Sequence, residues 1–214
     1  MKPKRDSLDD LLCEIRACRA CAASLPLGPR PVLRVGASAR LHVCGQAPGT
    51  KVHATGLPYN DRSGERLRDW LGIGPEAFYD ESRVAIVPMG FCYPGRDPRG
   101  GDLPPRPECA ALWRARLLAE MPPPALTLLI GQYAIAWHLG ARRRASLTET
   151  VAAWRDYLPA YFPLPHPSWR NTGWLARNPW FEIECVPALR RLVRGLLPAA
   201  GAEARGLGGQ REAG

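Results

Sequence analysis

The stretch Leu41-His42-Val43-Cys44-Gly45-Gln46-Ala47-Pro48-Gly49 decides the fold. Its first four residues form a short apolar run that is typical of a buried strand, and the Gly/Pro loop 45–49 ends that strand. Open α/β folds place their ligands at the carboxyl edge of the sheet, where such loops lie. A second loop, His166-Pro167-Ser168, follows another short apolar run at 161–164. The two loops together predict a ligand site that is built from distant parts of the chain.

Predicted strands alternate with predicted helices on both sides of this stretch. The strands are expected at 41–44, 84–87, 126–130 and 161–164, and the helices at 7–21, 63–71, 108–120, from 131 onward and at 179–197. Asn178 is expected to cap the last helix, and Pro187 to kink or divide it. The alternation predicts an α/β fold, a three-layer α/β/α sandwich with a central, mostly parallel four-stranded sheet.

The composition is that of one globular domain. Of 214 residues, 46% are hydrophobic, which predicts a folded domain over 1–198 and a disordered Ala/Gly/Glu/Arg tail over 199–214. No apolar run approaches the ~20 residues that span a bilayer, and the N-terminus does not resemble a signal peptide. We therefore expect a cytoplasmic monomer that does not bind membranes. The net charge of +9 favours a nucleic-acid partner, although a solvated surface rich in arginine would give the same charge.

Seven cysteines, an odd number, argue against a disulfide framework in a cytosolic chain. Metal ligation or burial remain as their roles. Cys18 and Cys21 have a spacing that is competent for chelation. Cys13, Cys44 and Cys185 are predicted to be small core residues.

The order of these motifs resembles the uracil-DNA glycosylase superfamily over roughly residues 8–195, and is most similar to its iron–sulfur family 4. Motif A of that family, Gly-Glu-Ala-Pro-Gly followed by Gly-x-Pro-Phe, corresponds to 45–49 and 56–59, and motif B corresponds to 166–168. Asp61-Arg62-Ser63-Gly64 is similar to a segment of family 5. The resemblance implies an enzyme that hydrolyses the N-glycosidic bond of uracil in DNA, leaves an abasic site and starts base excision repair.

The resemblance also implies roles for individual residues. His166 would hydrogen-bond uracil O2 as negative charge builds there, and Tyr59 would stack on the flipped base. The remaining implied site residues are Gly45, Gln46, Ala47, Asn60 and Ser168 for the substrate, and Trp169, Arg170 and Asn171 for DNA.

The loop 45–49 departs from the family pattern at its acidic position. Family 4 has Glu at position 46 and family 1 has Asp at position 47, whereas this chain has Gln46 and Ala47. Gln46 can orient a water but cannot accept its proton. Asp61 is the preferred source of catalytic negative charge and His53 the alternative base, while Asp61 could also serve as a helix N-cap.

Pro88 is a second departure, because family 4 has an Asn there that reads the edge of uracil. Recognition would then use backbone groups of Met89, Gly90 and Phe91, or Asn60. A wider pocket that accepts hypoxanthine or xanthine is one alternative function. Another is a catalytically weak protein that binds damaged or abasic sites on the same fold.

The resemblance implies a cofactor as well. The family's CxxC corresponds to Cys18 and Cys21, and its later pair to Cys92 and Cys109. Four thiolates suit a structural 4Fe–4S cluster, with Zn²⁺ or an empty set of buried thiols as alternatives. Cys13 is a potential substitute ligand.

Overall fold

A computed structural model describes residues 7–197 of the chain. Its strands are β1 (Leu41–Cys44), β2 (Val84–Ile86), β3 (Leu126–Ile130) and β4 (Tyr161–Leu164). Its α-helices are α1 (Leu8–Arg16), α2 (Thr50–Thr55), α3 (Arg62–Leu71), α4 (Pro75–Tyr79), α5 (Pro107–Cys109), α6 (Ala115–Glu120), α7 (Gly131–Leu139), α8 (Leu147–Ala152), α9 (Thr172–Arg177) and α10 (Val186–Leu196). Two π-helical turns, Ala110–Arg114 and Phe181–Cys185, lead into α6 and α10.

The four strands form one sheet in the order β2-β1-β3-β4, and every neighbouring pair is parallel. The predicted sheet is therefore confirmed, and it is entirely parallel. Because parallel strands end at the same edge, the loops that follow β1 and β4 reach the same side of the molecule.

Helices cover both faces of the sheet. Successive side chains of a strand point to opposite faces, so Leu41 and Val43 pack in a core shared with α3 and α10. Ala85 of β2 points the other way, into a core shared with α1 and α6. This alternation produces the predicted three-layer sandwich.

Helix α3 positions the site because it begins at the pocket. The Asp61 side chain caps its first turn, and Gly72 ends it in the left-handed conformation at φ 68°. Leu67 and Trp70 are buried on its inner face, and the Trp70 ring lies 4.9 Å from that of Phe181. Burial of each such side chain contributes about 1.5–3 kcal/mol.

Several local predictions differ from the structure. Helix α1 ends at Arg16, so Cys18 and Cys21 lie in the turns that follow it. Cys13 is exposed, so its assignment to the core is wrong. Asn178 does not cap the last helix with its side chain, since its amide donates to the Trp174 carbonyl at 2.8 Å.

The structure agrees with several other predictions, and one prediction lies outside the described residues. Pro187 lies in the first turn of α10, directly after a π-helical turn, so the last helical region is divided there. Cys44 and Cys185 are buried as expected. The predicted tail 199–214 lies outside the described residues. Within 7–197 no helix combines the length and the apolar character that crossing a membrane requires.

Candidate active site

A pocket of about 280 Å³ opens at the carboxyl edge of the sheet. Its volume is close to the lower end of the range for small-molecule sites, about 300–1,000 Å³. The structure brings to it most of the predicted site residues, namely Gly45, Gln46, Ala47, Tyr59, Asp61, His166, Ser168, Trp169 and Arg170. The two loops after β1 and β4 therefore form one site.

Three predicted site residues do not line this pocket. His53 lies on α2 with its ring 6.3 Å from that of Tyr93. Asn60 donates its amide to Thr55 Oγ1 at 2.7 Å. Asn171 donates to the His166 carbonyl at 2.7 Å, so it holds the second loop in shape.

His166 is held as a neutral hydrogen-bond donor. The Ser168 backbone N–H donates to His166 Nδ1 at 3.2 Å, which leaves the proton of the neutral ring on Nε2. Burial lowers the pKa of His166, and the charge of Asp61 opposes this only in part. Arg66 of α3 fixes the same loop by donating to the Ser168 carbonyl at 3.1 Å. The site thus presents a preorganised N–H to any negative charge that develops beside it.

Tyr59 adopts a left-handed backbone, with φ 55°. Arg68 and the Tyr79 hydroxyl both donate to its carbonyl at 3.0 Å. A Cβ at Gly64 would collide with that carbonyl, and a Cβ at Gly45 would collide with the Tyr59 hydroxyl. Both glycines are therefore required by the position of Tyr59, Gly64 by its backbone and Gly45 by its side chain. Burial raises the pKa of Tyr59, which keeps the phenol neutral.

Asp61 is the helix N-cap that its sequence position allows, and it also lies in the pocket. Its Oδ1 accepts from the Gly64 backbone N–H at 2.9 Å and caps α3, and the same side chain lines the pocket. Its charge acts on His166 across the pocket. The cap fixes the carboxylate where negative charge can stabilise a developing cation.

Backbone donors near Pro88 are already engaged. The Met89 N–H donates to the Gly45 carbonyl at 2.9 Å, and the Gly90 N–H to the Gln46 carbonyl at 3.0 Å. The Phe91 N–H donates to Cys109 Sγ at 3.3 Å. The three N–H groups therefore have partners within the protein, so base reading by this segment stays a prediction for its other backbone groups.

Asp102 lines the pocket and was not predicted. It belongs to a hairpin over 95–103 whose strands meet at the bridge between Arg96 and Asp102. Sequence reasoning missed it because the segment 93–107 is rich in Pro, Gly and Arg and shows no periodicity. Although Asp102 is exposed at the pocket mouth, nearby protein removes part of its hydration and raises its pKa.

The four cysteines that were predicted as ligands border one cavity: Cys18, Cys21, Cys92 and Cys109. The Trp113 indole N–H donates to Cys18 Sγ at 3.3 Å. Burial raises the pKa of Cys109 to about 12, and the neighbouring cysteines add to the effect. Within residues 7–197 no three ligating side chains are close enough to hold a single metal ion.

Arg114 forms a second polar cluster, on the face of the sheet opposite α3. It is 1% exposed and donates to the Pro88 carbonyl at 3.0 Å and to Cys44 Sγ at 2.7 Å. Its Nη2 also lies 3.0 Å from His138 Nε2. Burial and then the Arg114 charge lower the pKa of His42 to about 4 and that of His138 to about 3. Both imidazoles are therefore neutral in the folded protein.

Comparison with known families gives a match over most of the chain. Residues 34–190 match the model of the Uracil DNA glycosylase superfamily, which is well over half of the chain. The matched region includes both pocket loops, α3 and the hairpin 95–103, and it excludes α1 with Cys18 and Cys21.

Proposed function

We propose that the chain, which belongs to the uracil-DNA glycosylase superfamily, excises uracil from DNA by hydrolysis and leaves an abasic site. The general class, a hydrolase that acts on the glycosidic bonds of DNA, follows from the family. The choice of uracil is supported by one observation. His166 and Asp61, which are 105 positions apart in sequence (166 − 61), line the same pocket as a neutral donor and a carboxylate.

The reaction separates charge between the base and the sugar, and His166 and Asp61 are suited to stabilise one charge each. As the bond between the sugar and the base breaks, negative charge builds on the base, where the Nε2–H of His166 can donate to O2. One preorganised donor of this kind is worth about 2.7–4 kcal/mol. Positive charge builds on the sugar, and the carboxylate of Asp61 stabilises it.

The rim of the pocket suits a DNA duplex. The Trp169 side chain is 70% exposed, and the Arg170 guanidinium lies 5.1 Å from its ring. An exposed aromatic side chain can fill the gap that a flipped nucleotide leaves, while an arginine contacts phosphates. The charge of +9 supports the same partner.

The base-reading edge supports a second candidate, a glycosylase for hypoxanthine or xanthine. Pro88 lines the pocket where an amide side chain would read uracil, and the neighbouring N–H groups are engaged. Gln46 is the amide that remains in the lining, and its Nε2 donates to the Leu103 carbonyl at 3.3 Å. Because the pocket has few groups that would be specific for uracil, it could accept a broader range of bases.

A panel of DNA duplexes, each with one uracil, hypoxanthine, xanthine or abasic site, tests the function. We expect strand cleavage after alkali at uracil. Asp61→Asn should lower that rate by about 10²-fold, because asparagine still caps α3 but carries no charge. Asp69→Asn, on the same helix but at an exposed ion pair with Arg190, should stay within twofold of the unchanged protein.

Other outcomes would change the proposed substrate, the proposed function or the role of Asp61. Release of hypoxanthine or xanthine alone would replace uracil as the substrate. Tight binding to abasic DNA without any base release would make the chain a damage-binding protein. Full activity in Asp61→Asn would remove Asp61 from the mechanism.

The four-cysteine cavity supports a 4Fe–4S cluster as the cofactor. Soft thiolate ligands suit iron–sulfur clusters, and the N–H groups of Phe91 and Trp113 donate to two of the sulfurs, as is common around such clusters. The cluster would supply structural crosslinking here. It would join the turn after α1 to the segment between Cys92 and Cys109.

Cys109→Ser is expected to lose iron, sulfide and visible absorbance, and to unfold at lower denaturant concentration, because one of four ligands is removed. Cys13→Ser is the matched control, since Cys13 is exposed and outside the cavity. Its iron content should equal that of the unchanged protein. A protein purified anaerobically without iron would contradict the proposal, and stoichiometric zinc would support the alternative.

A further inference from the structure

The pocket lacks an acid on loop 45–49 but holds one directly beside it. A Cβ on Gly49 would lie 3.4 Å from Oδ2 of Asp102, which places this carboxylate against the last residue of the loop. Asp102 reaches this position from the hairpin 95–103. Asp102 thus places an acid at the wall of the pocket that loop 45–49 forms, the loop in which family 4 has Glu at position 46.

Backbone hydrogen bonds give the hairpin a defined shape. The Leu103 N–H donates to the Gly95 carbonyl at 2.8 Å, and the Asp97 N–H donates to the Gly101 carbonyl at 2.9 Å. Asp102 lies between these two pairs, so its backbone is fixed on both sides.

Gln46 attaches the hairpin to the loop. Its Nε2 donates to the Leu103 carbonyl, one residue after Asp102. An ionised glutamate at position 46 has no proton to donate, and its charge would repel both that carbonyl and the Asp102 carboxylate. The amide at position 46 and the acid at position 102 can therefore lie side by side, whereas two acids at these positions would repel each other.

Charged groups from three elements face Asp102. Nearby protein removes part of its hydration and raises its pKa, and Asp61 at the start of α3 acts in the same direction. Arg170 from the loop after β4 and Arg96 from the hairpin lower it. Tyr93 is also near, and the Asp102 charge contributes to the raised pKa of that phenol. The net result is a carboxylate whose pKa is raised, so it binds a proton more strongly than an ordinary aspartate.

We propose that Asp102 is the catalytic base of this pocket and that Gln46 is the residue that positions it. The inference rests on the proposed glycosylase function. The water oxygen forms a bond to C1′ while the C1′–N bond breaks. The electron pair of the C1′–N bond leaves with the base. The water proton passes to Asp102 and then to solvent, and the departing anion, held by His166, takes a proton from solvent. Asp61 supplies the charge that stabilises the sugar cation.

Asp102→Asn is the direct test, with single-turnover base release as the measurement. We expect a loss of about 10²-fold, in the range for a general base. The fall in rate that the unchanged protein shows towards acid pH should shift to lower pH or vanish. Asp97→Asn is the matched control, because Asp97 is on the same hairpin and outside the pocket lining. Its rate and pH profile should match those of the unchanged protein.

Gln46→Leu tests the positioning role. We expect about a tenfold loss with the acid limb of the pH profile retained, because Asp102 is still present but less well held. The double variant Gln46→Leu, Asp102→Asn should be no slower than Asp102→Asn alone, since the two residues serve one step. A loss in the double variant equal to the product of the two single losses would contradict the coupling between the two residues.

The outcomes separate this inference from the function on which it rests. An Asp102→Asn protein with the rate and pH profile of the unchanged protein would overturn the inference and leave the function intact. If the unchanged protein releases hypoxanthine or xanthine instead, the same variants are measured on that base. If it releases no base from any duplex, both the function and the inference are wrong.

Discussion

Replacing His166 with alanine is expected to lower kcat by about 10²–10³-fold, the usual cost of losing one donor to a developing anion. The Ser168 N–H fixes the ring so that Nε2 carries the proton, and the low pKa of His166 keeps it neutral. Because the donor acts mainly when charge has built up on the base, KM should change little. Single-turnover base release at saturating enzyme measures the effect.

His53→Ala provides the comparison that decides between the two histidines. His53 does not line the pocket, so we expect a loss of less than tenfold. A larger loss from His53→Ala than from His166→Ala would reverse their assigned roles. Binding of abasic DNA by both variants controls for damage to the fold.

Acid is expected to destabilise the protein through the cluster around Arg114. The pKa values of His42 and His138 fall from the ordinary 6.5 to about 4 and about 3 in the folded state. Below pH 6.5 the unfolded chain binds protons that the folded chain excludes, so stability falls as pH falls towards 4. At pH 5 the loss is roughly 2 kcal/mol for each histidine. Total stabilities are about 5–15 kcal/mol, so this is a large share.

Chemical denaturation at pH 7 and pH 5 measures this effect. His138→Gln is the informative variant, because its amide oxygen can still accept from Arg114 but does not titrate. We expect the free energy of unfolding to fall less between the two pH values in His138→Gln, by about 2 kcal/mol. Equal losses in both proteins would show that His138 is protonated in the folded state as easily as in the unfolded chain.

The sheet could be predicted because its strands carry an unusually clear signal. Each is a short, largely apolar run that is buried except for the half-buried Tyr161 of β4, and Gly45 and Gly131 mark where two of them end. The pocket followed from two loops at the carboxyl edge. Here local sequence and tertiary environment favour the same structure.

The remaining features depend on contacts that local sequence does not encode. Helix α2 was not predicted within 45–62, because it has six residues and only Val52 is buried. The hairpin that carries Asp102 is stabilised by Gln46, which is 56 positions away (102 − 46). Asn178 is of a residue type that often caps helices, but its side chain donates to the Trp174 carbonyl instead. Composition indicated a loop or a cap at these places without indicating which partner each side chain would find.

The bond between Gln46 and the Leu103 carbonyl has a consequence for how relatives of this chain should be compared. A search that requires an acid in the first glycine-rich loop would classify the chain as inactive. If the amide and the displaced acid work together, the two positions are inherited as a pair. Relatives with glutamine at the first position should then carry an acid in the hairpin, and relatives with glutamate should be free to vary there.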